Sequence, residues 1–219
     1  MLTIDYILND VKALKLSDTI GDAKKLFNEL IFTHIPVVEN GNLYGLIAES
    51  DLPSFDDNEL ILEEIQYIFQ SFFAFDDANW FDLLKGFASN EANIIPILNQ
   101  NKKYIGYFEL ADVLHFFNST PFLQENGNLL IISKKSMDYS ISEIAQIAES
   151  NDSKLLGVFI SKIEADDVEF TLKISSTNIN DVIHSFRRYD YHIIKGIKED
   201  EYLTDLKQRS DYLQKYLSI

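Results

Sequence analysis

The chain has 219 residues, with 46% apolar and 25% charged side chains, and a net charge of −16. These are the proportions of an ordinary soluble globular protein of one or two domains, and the acidity argues against nucleic acid or an anionic membrane surface as partner. Cysteine is absent, which excludes disulfides, a thiolate nucleophile and a Cys-type zinc site and suits a reducing compartment.

The N-terminal segment carries Ile4, Ile7, Leu8 and Val11 at helical spacing, predicting a short helix over 2–11. Acidic residues interrupt its apolar run and no basic region precedes it, so it does not read as a signal peptide. No stretch approaches the roughly 18 apolar residues that a membrane span needs. The expectation is a cytoplasmic protein without membrane contact.

Ser17-Asp18 offers an N-cap for a helix over 19–32, with Ala23, Leu26, Phe27, Leu30 and Ile31 on one face. His34 to Val38 reads as a strand, Asn40-Gly41 as a type I′ turn, and Asn42 to Ala48 as the return strand. Ser50-Asp51 then reads as a cap, and the acidic stretch 53–64, with Pro53, as a loop passing into a helix over 59–69.

The pattern then recurs. Sixty positions on, Asp22, Lys25, Phe27, Ile35 and Pro36 match Asp82, Lys85, Phe87, Ile95 and Pro96. After one inserted residue, Gly45 and Asp51 match Gly106 and Asp112. The second copy is predicted as helix 78–90, strand 93–98, a longer turn 99–103 without glycine, strand 104–108 and helix 109–117. A repeat of this length points to a paired module rather than a single catalytic site.

Ser119-Thr120-Pro121 breaks the pattern and opens a linker over 119–127. Strand 128–133, helix 140–150, strands 154–163 and 168–175, a helix capped by Thr177, and strand 191–197 then follow in the order βαββαβ, the ferredoxin-like arrangement. Leu203, Leu206, Leu213 and Leu217 predict a final helix within 199–219.

The duplicated half resembles the tandem CBS-domain (Bateman) module. The resemblance rests on Asp18-Thr19, Ala23, His34-Ile35-Pro36-Val37-Val38, the run Gly45 to Leu52, Ile95-Pro96 and the run Gly106 to Val113, and covers residues 1–118. The back half resembles an ACT-type domain, and the combination is similar to acetoin-utilisation-type bacterial regulators. The expected fold is therefore α/β (α+β), with CBS repeats at 1–58 and 59–118, a linker at 119–127, an ACT-like domain at 128–198 and a C-terminal helix at 199–219.

The resemblance implies a regulatory homodimer, not an enzyme. It would bind an adenosine nucleotide or S-adenosylmethionine between the repeats, require no cofactor, and pass a conformational change to a protein partner. Asp51 and Asp112 are the expected ribose-binding residues. His34, Ile35, Pro36, Ile95 and Pro96 lie on the strands that would flank a base. Such modules carry Ser or Thr three residues before the Asp, where this chain has Ala48 and Glu109. Glu109 would repel a phosphate by about a kcal/mol or more at an effective dielectric near 20. An adenosine or a cationic adenosyl compound therefore fits better than a polyphosphate.

Each feature also has a purely structural interpretation. Both Asp residues could simply favour a helix N-terminus, His34 could be a packing residue, and the whole module could be a dimerisation element with degenerate clefts. Asp56, Asp57, Glu59, Glu63 and Glu64 could draw a divalent cation or form a solvated linker. Lys134-Lys135 and Arg187-Arg188 could meet an anion, a partner subunit or only solvent. In the ACT-like half, the loop 136–140 keeps Asp138 but lacks the glycine that permits close backbone approach, and Asp190 stands where glycine is usual before the last strand. No phosphate loop or nucleophile elbow is present.

Overall fold

The computed structural model describes residues 6–176 and 178–196. They fall into two compact units, with the boundary in the chain between Asn118 and Ser119, the first built from two copies of one motif. The Thr177 cap and the helix expected over 199–219 lie outside the described residues.

In the first copy, α1 (Ile20–Glu29) starts at a capping box: Thr19 accepts from the Asp22 N–H and the Asp22 carboxylate accepts from the Thr19 N–H. Its buried residues Ile20, Ala23 and Phe27 lie over β1 (His34–Glu39), where Ile35 and Val37 join the same core. β1 turns at Asn40 (φ 51) and Gly41 (φ 74) into antiparallel β2 (Asn42–Ala48), as the Asn-Gly pair predicts. A 3-10 helix, Glu49–Ser54, follows, and a second one, Leu62–Ile68, is kinked at Ile65.

The second copy has β3 (Ala74–Phe75) parallel to β4 (Ile94–Leu98), α2 (Trp80–Asn90) between them, and then β5 (Tyr104–Glu109) and α3 (Leu110–Asn118). The registers repeat. Val37 faces Gly45 and Ile97 faces Gly106, each beside a bulge. Leu14 bridges Val37 in parallel, as Ala74 pairs with Ile97.

The copies also exchange segments. Gln70, ahead of the second copy, makes two backbone hydrogen bonds to Leu46 of β2, at 2.8 and 2.9 Å. Leu8, ahead of the first copy, makes two to Tyr107 of β5, at 2.9 and 2.8 Å. This corrects the expected helix over 2–11 in its described part from residue 7 on, residues 2–5 lying outside the described residues: Leu8 bridges to β5, because its hydrogen-bond partner is supplied by a distant strand rather than by the next turn. Gly45 and Gly106 (φ +150 and +147) make the exchange sterically allowed, since a Cβ at Gly106 would lie 2.2 Å from the Leu8 carbonyl oxygen and one at Gly45 3.0 Å from that of Gln70.

In the second unit, residues 121–124 of the expected linker form a short helix, α4 (Pro121–Gln124). β6 (Asn128–Lys135), α5 (Ile141–Glu149), β7 (Lys154–Glu164), β8 (Asp167–Ser175), α6 (Ile179–Arg188) and β9 (His192–Gly196) follow. The antiparallel sheet has the order β7-β8-β6-β9, the ferredoxin-like arrangement. Leu130, Ile132, Phe170 and Leu172 meet Ile144, Ile147, Val182 and Phe186 of the helices in one core. Asn178 caps α6 through the Asn180 N–H, and Asp190 takes a left-handed conformation (φ 60).

Neither residue of the Lys134-Lys135 pair is free. Lys135 meets Asp167 at 3.0 Å, and Lys134 donates to Glu143 at 2.9 Å while sitting 4.3 Å from the Tyr191 ring centre. The Lys134 side chain is only 13% exposed, against 31% for Glu143. Lys134→Met is therefore expected to destabilise this unit by about 1–2 kcal/mol, the partial exposure of Glu143 holding the figure down.

The Lys134 hydrogen bond holds the Glu143 carboxyl below its usual value. Its contribution is then complete above the unfolded carboxylate pKa, about 4.3, and is lost as pH falls through the lowered folded value. Denaturant midpoints at pH 7 and pH 3 should differ less in Lys134→Met than in the parent.

Candidate functional site

The joint between the two copies is built on Thr33 and Asn93, equivalent positions just before β1 and β4. The Thr33 N–H donates to Asn93 Oδ1 at 2.8 Å, and the Asn93 N–H donates to Thr33 Oγ1 at 3.0 Å. Asn93 Nδ2 also donates to the Ile31 carbonyl at 2.6 Å. Below this pair, Phe32 packs edge-on against Tyr107, beside Ile94. The copies are thus pinned by reciprocal bonds between equivalent positions.

Beside that joint lies a cleft of about 280 Å³. The first copy supplies Thr33, His34, Glu49 and Ser50, and the second Gln70, Asn90 and Glu91. β1 begins at His34, a buried residue (5% exposed) that nevertheless lines the cleft. Its Nε2 lies 3.2 Å from Gln70 Oε1, its Nδ1 2.9 Å from Thr33 Oγ1, and Phe72 packs edge-on at 5.3 Å. Burial holds its pKa below the usual imidazole value, against the opposing pull of the Gln70 hydrogen bond and the Asp51 charge.

Glu91 caps the C-terminus of α2 in a left-handed conformation (φ 50, ψ 34), unusual for a residue with a side chain. Lys and Arg do not occur among the cleft residues, whose two charged members are Glu49 and Glu91. Such a lining can hold a neutral or cationic polar ligand through amides, hydroxyls and carboxylates. It offers a phosphate group no cation.

The expected site residues divide. His34 is in the cleft. Ile35 and Ile95 are buried in the cores of their own copies, and Pro36 and Pro96 are buried on the same strands. Ala48 is buried at the end of β2. Asp51 is not among the cleft-lining residues; it sits in the first turn of the 3-10 helix, where Ala48 at the cap position makes no side-chain bond. A cap at Ser50-Asp51 is therefore not formed, and Pro53 inside the helix keeps it short. Gln70 lies ahead of the second copy, Asn90 and Glu91 at the C-terminal end of its α2, and none of the three was expected from the sequence.

At the equivalent place in the second copy, the Tyr107 hydroxyl donates to Asp10 at 2.7 Å. That bond lowers the Asp10 pKa, while burial and then the Asp10 contact raise that of Tyr107. Burial, followed by Asp112 and Asp10, raises the Glu109 carboxyl. Burial likewise raises Asp112, on α3, whose Oδ2 is buried without a hydrogen-bond partner. Here the protein's own phenol and carboxylates meet one another. Among the described residues no group of three or more acidic or histidine side chains is arranged to hold a metal ion, including the acidic stretch 56–64. No helix among them is long and apolar enough to cross a membrane.

An uncharacterized protein of Methanocaldococcus jannaschii is 24% identical over 194 residues, 87% of this chain and 71% of that one. A CBS domain pair/ACT domain protein from Thermotoga maritima shares 17% identity and superposes with a TM-score of 0.48, over 53% of this chain and 96% of its own. CBSX2, solved in complex with AMP, shares 19% identity with a TM-score of 0.46, over 53% of this chain and 95% of its own. Residues 4–54 match the family model of the CBS domain. The chain thus carries a CBS domain at 4–54, and residues 74–118 repeat its helix and strand order.

Proposed function

We propose that the first unit is a ligand sensor that takes an uncharged or cationic adenosine-containing compound in the cleft beside the Thr33–Asn93 joint. The observation that carries this reading is the cleft itself, whose polar side chains come from both copies and include no cation. A ligand touching both copies favours one of their relative arrangements, and only such a differential contact can move an equilibrium. The change would pass to a protein partner, and a homodimer is the expected assembly. The absence of a phosphate loop or nucleophile elbow supports a regulatory rather than a catalytic role.

The test is a thermal-shift series on purified protein stripped of bound ligand, against adenosine, S-adenosylmethionine, AMP, ADP, ATP and NAD, with and without magnesium. A ligand binding only the native state adds about 2.7 kcal/mol at a hundredfold excess over its Kd. Adenosine or S-adenosylmethionine should give the larger shift. A larger shift with ATP alone would contradict the charge argument, and no shift with any of them would contradict the sensor.

A second reading, a dimerisation module with degenerate clefts, has its own observation: the Tyr107–Asp10 bond at the second copy's equivalent position. Asp51→Ala separates the two. As a sensor residue near His34, its loss should weaken ligand binding several-fold and leave the melting temperature of the free protein nearly unchanged. A fall in melting temperature with no effect on binding would make Asp51 structural.

A further inference from the structure

The Thr33 hydroxyl stands at a branch point. It has one hydrogen and two acceptors in reach, His34 Nδ1 at 2.9 Å and Asn93 Oδ1 at 3.1 Å, while its oxygen accepts the Asn93 N–H at 3.0 Å. One acceptor belongs to the cleft and the other to the joint. Which one receives the hydrogen depends on the His34 ring, because an imidazole nitrogen is either a donor or an acceptor.

With Nε2–H donating to Gln70 Oε1, His34 Nδ1 carries a lone pair. The Thr33 O–H then donates to the ring, and Asn93 Oδ1 keeps only the Thr33 N–H. When Nδ1 is protonated, the direction reverses. Nδ1–H donates to Thr33 Oγ1, and the Thr33 O–H is released to Asn93 Oδ1. The joint gains a third direct bond between Thr33 and Asn93, with no atom moving farther than a hydroxyl rotation.

We propose that Gln70, His34, Thr33 and Asn93 form a hydrogen-bond relay that transmits the state of the cleft to the joint between the copies. A cleft ligand that donates to His34 Nε2 in place of Gln70 forces the proton onto Nδ1 and adds the joint bond. A ligand that accepts from Nε2–H leaves the joint as it is. The ligand chemistry able to switch the module is therefore a donor, such as an amine or amide N–H. This assignment rests on the sensor reading for its biological use, but its physical content does not, because protonation of His34 drives the same reversal without any ligand.

Protons are accordingly the probe. The charged groups around His34 are Asp51 and Glu49 of the 3-10 helix and Glu91 at the end of α2; from the segment ahead of β3 it meets Gln70 and Phe72, which do not titrate. NMR on 15N-labelled full-length protein would follow the His34 ring nitrogens, the Asn93 side-chain amide and the Thr33 N–H through a pH titration. Three proteins are needed: the parent, Thr33→Val, and Thr33→Ser, which restores the hydroxyl.

In the parent and in Thr33→Ser, the Asn93 amide and the Thr33 N–H should shift with the same midpoint as His34. In Thr33→Val, His34 should still titrate while the Asn93 shift falls at least threefold. An Asn93 response of equal size in Thr33→Val would overturn the relay, since a direct field effect of His34 would then explain it. So would an Asn93 amide that stays fixed in the parent while His34 titrates. A failed ligand screen touches neither result, so the relay and the sensor reading fail separately.

Discussion

Gly106→Ala is expected to lower the stability of the first unit by about 2–5 kcal/mol, combining overpacking and backbone strain. The new Cβ would sit 2.2 Å from the Leu8 carbonyl oxygen and 2.8 Å from Ile7 Cγ2, at φ +147. The Leu8 carbonyl cannot yield without breaking the two hydrogen bonds between Leu8 and Tyr107. Gly41→Ala is the control. Its φ is +74, but the nearest atom to the new Cβ is the flexible Lys103 side chain at 3.7 Å, so about 1 kcal/mol is expected. Urea denaturation of both variants checks the contrast. Equal losses would mean that the segment exchange adds little, and that only the backbone conformation of the glycines matters.

Asn93→Ala is the second large effect, at about 2–4 kcal/mol. It leaves the Thr33 N–H and the Ile31 carbonyl, bonded at 2.8 and 2.6 Å, without their partners. The loss should fall on the joint rather than on either core, since the cores around Ile35 and Ile95 do not include this residue. Hydrogen exchange should therefore speed first at Thr33, while the Ile20 amide, bonded to the Leu60 carbonyl, stays protected. Uniform acceleration through the unit would show that the copies have no separable joint.

Much of this architecture is legible in the sequence because it is written locally. The capping box at Thr19, the Asn40-Gly41 turn and the alternating strand residues each act over a few positions. The matches sixty positions apart then give the second copy by analogy, even where its turn, with Asn99 and Lys102, differs from the first. Leu8 is the instructive failure. Its spacing with Ile7 and Val11 suits a helix, and what overrides it is a pair of backbone bonds to Tyr107 that no side-chain pattern announces.

The cleft is legible only in part for a related reason. His34 belongs to the repeat motif and could be found there. Gln70 reaches the cleft because the segment exchange lays it beside Leu46, and Glu91 because α2 ends in a left-handed residue that is not glycine. A polar residue within the aromatic run from Tyr67 to Phe75 was the one available signal for Gln70. Asp51, chosen by analogy with a ribose-binding position, is carried on a 3-10 helix that Pro53 keeps short, and Ser50 rather than Asp51 is the residue lining the cleft.

The most direct test of the central claim is calorimetric titration of the adenosyl compound that shifts the melting temperature most, into the parent protein and into Gln70→Ala. Gln70 joins β2 through its backbone, so removing its side chain should leave the fold intact. The account predicts one site per chain in the parent and at least a tenfold loss of affinity in Gln70→Ala, about 1.4 kcal/mol, with an unchanged melting temperature for the free protein. Undiminished affinity in a folded Gln70→Ala protein would place the ligand elsewhere and contradict the assignment of this cleft.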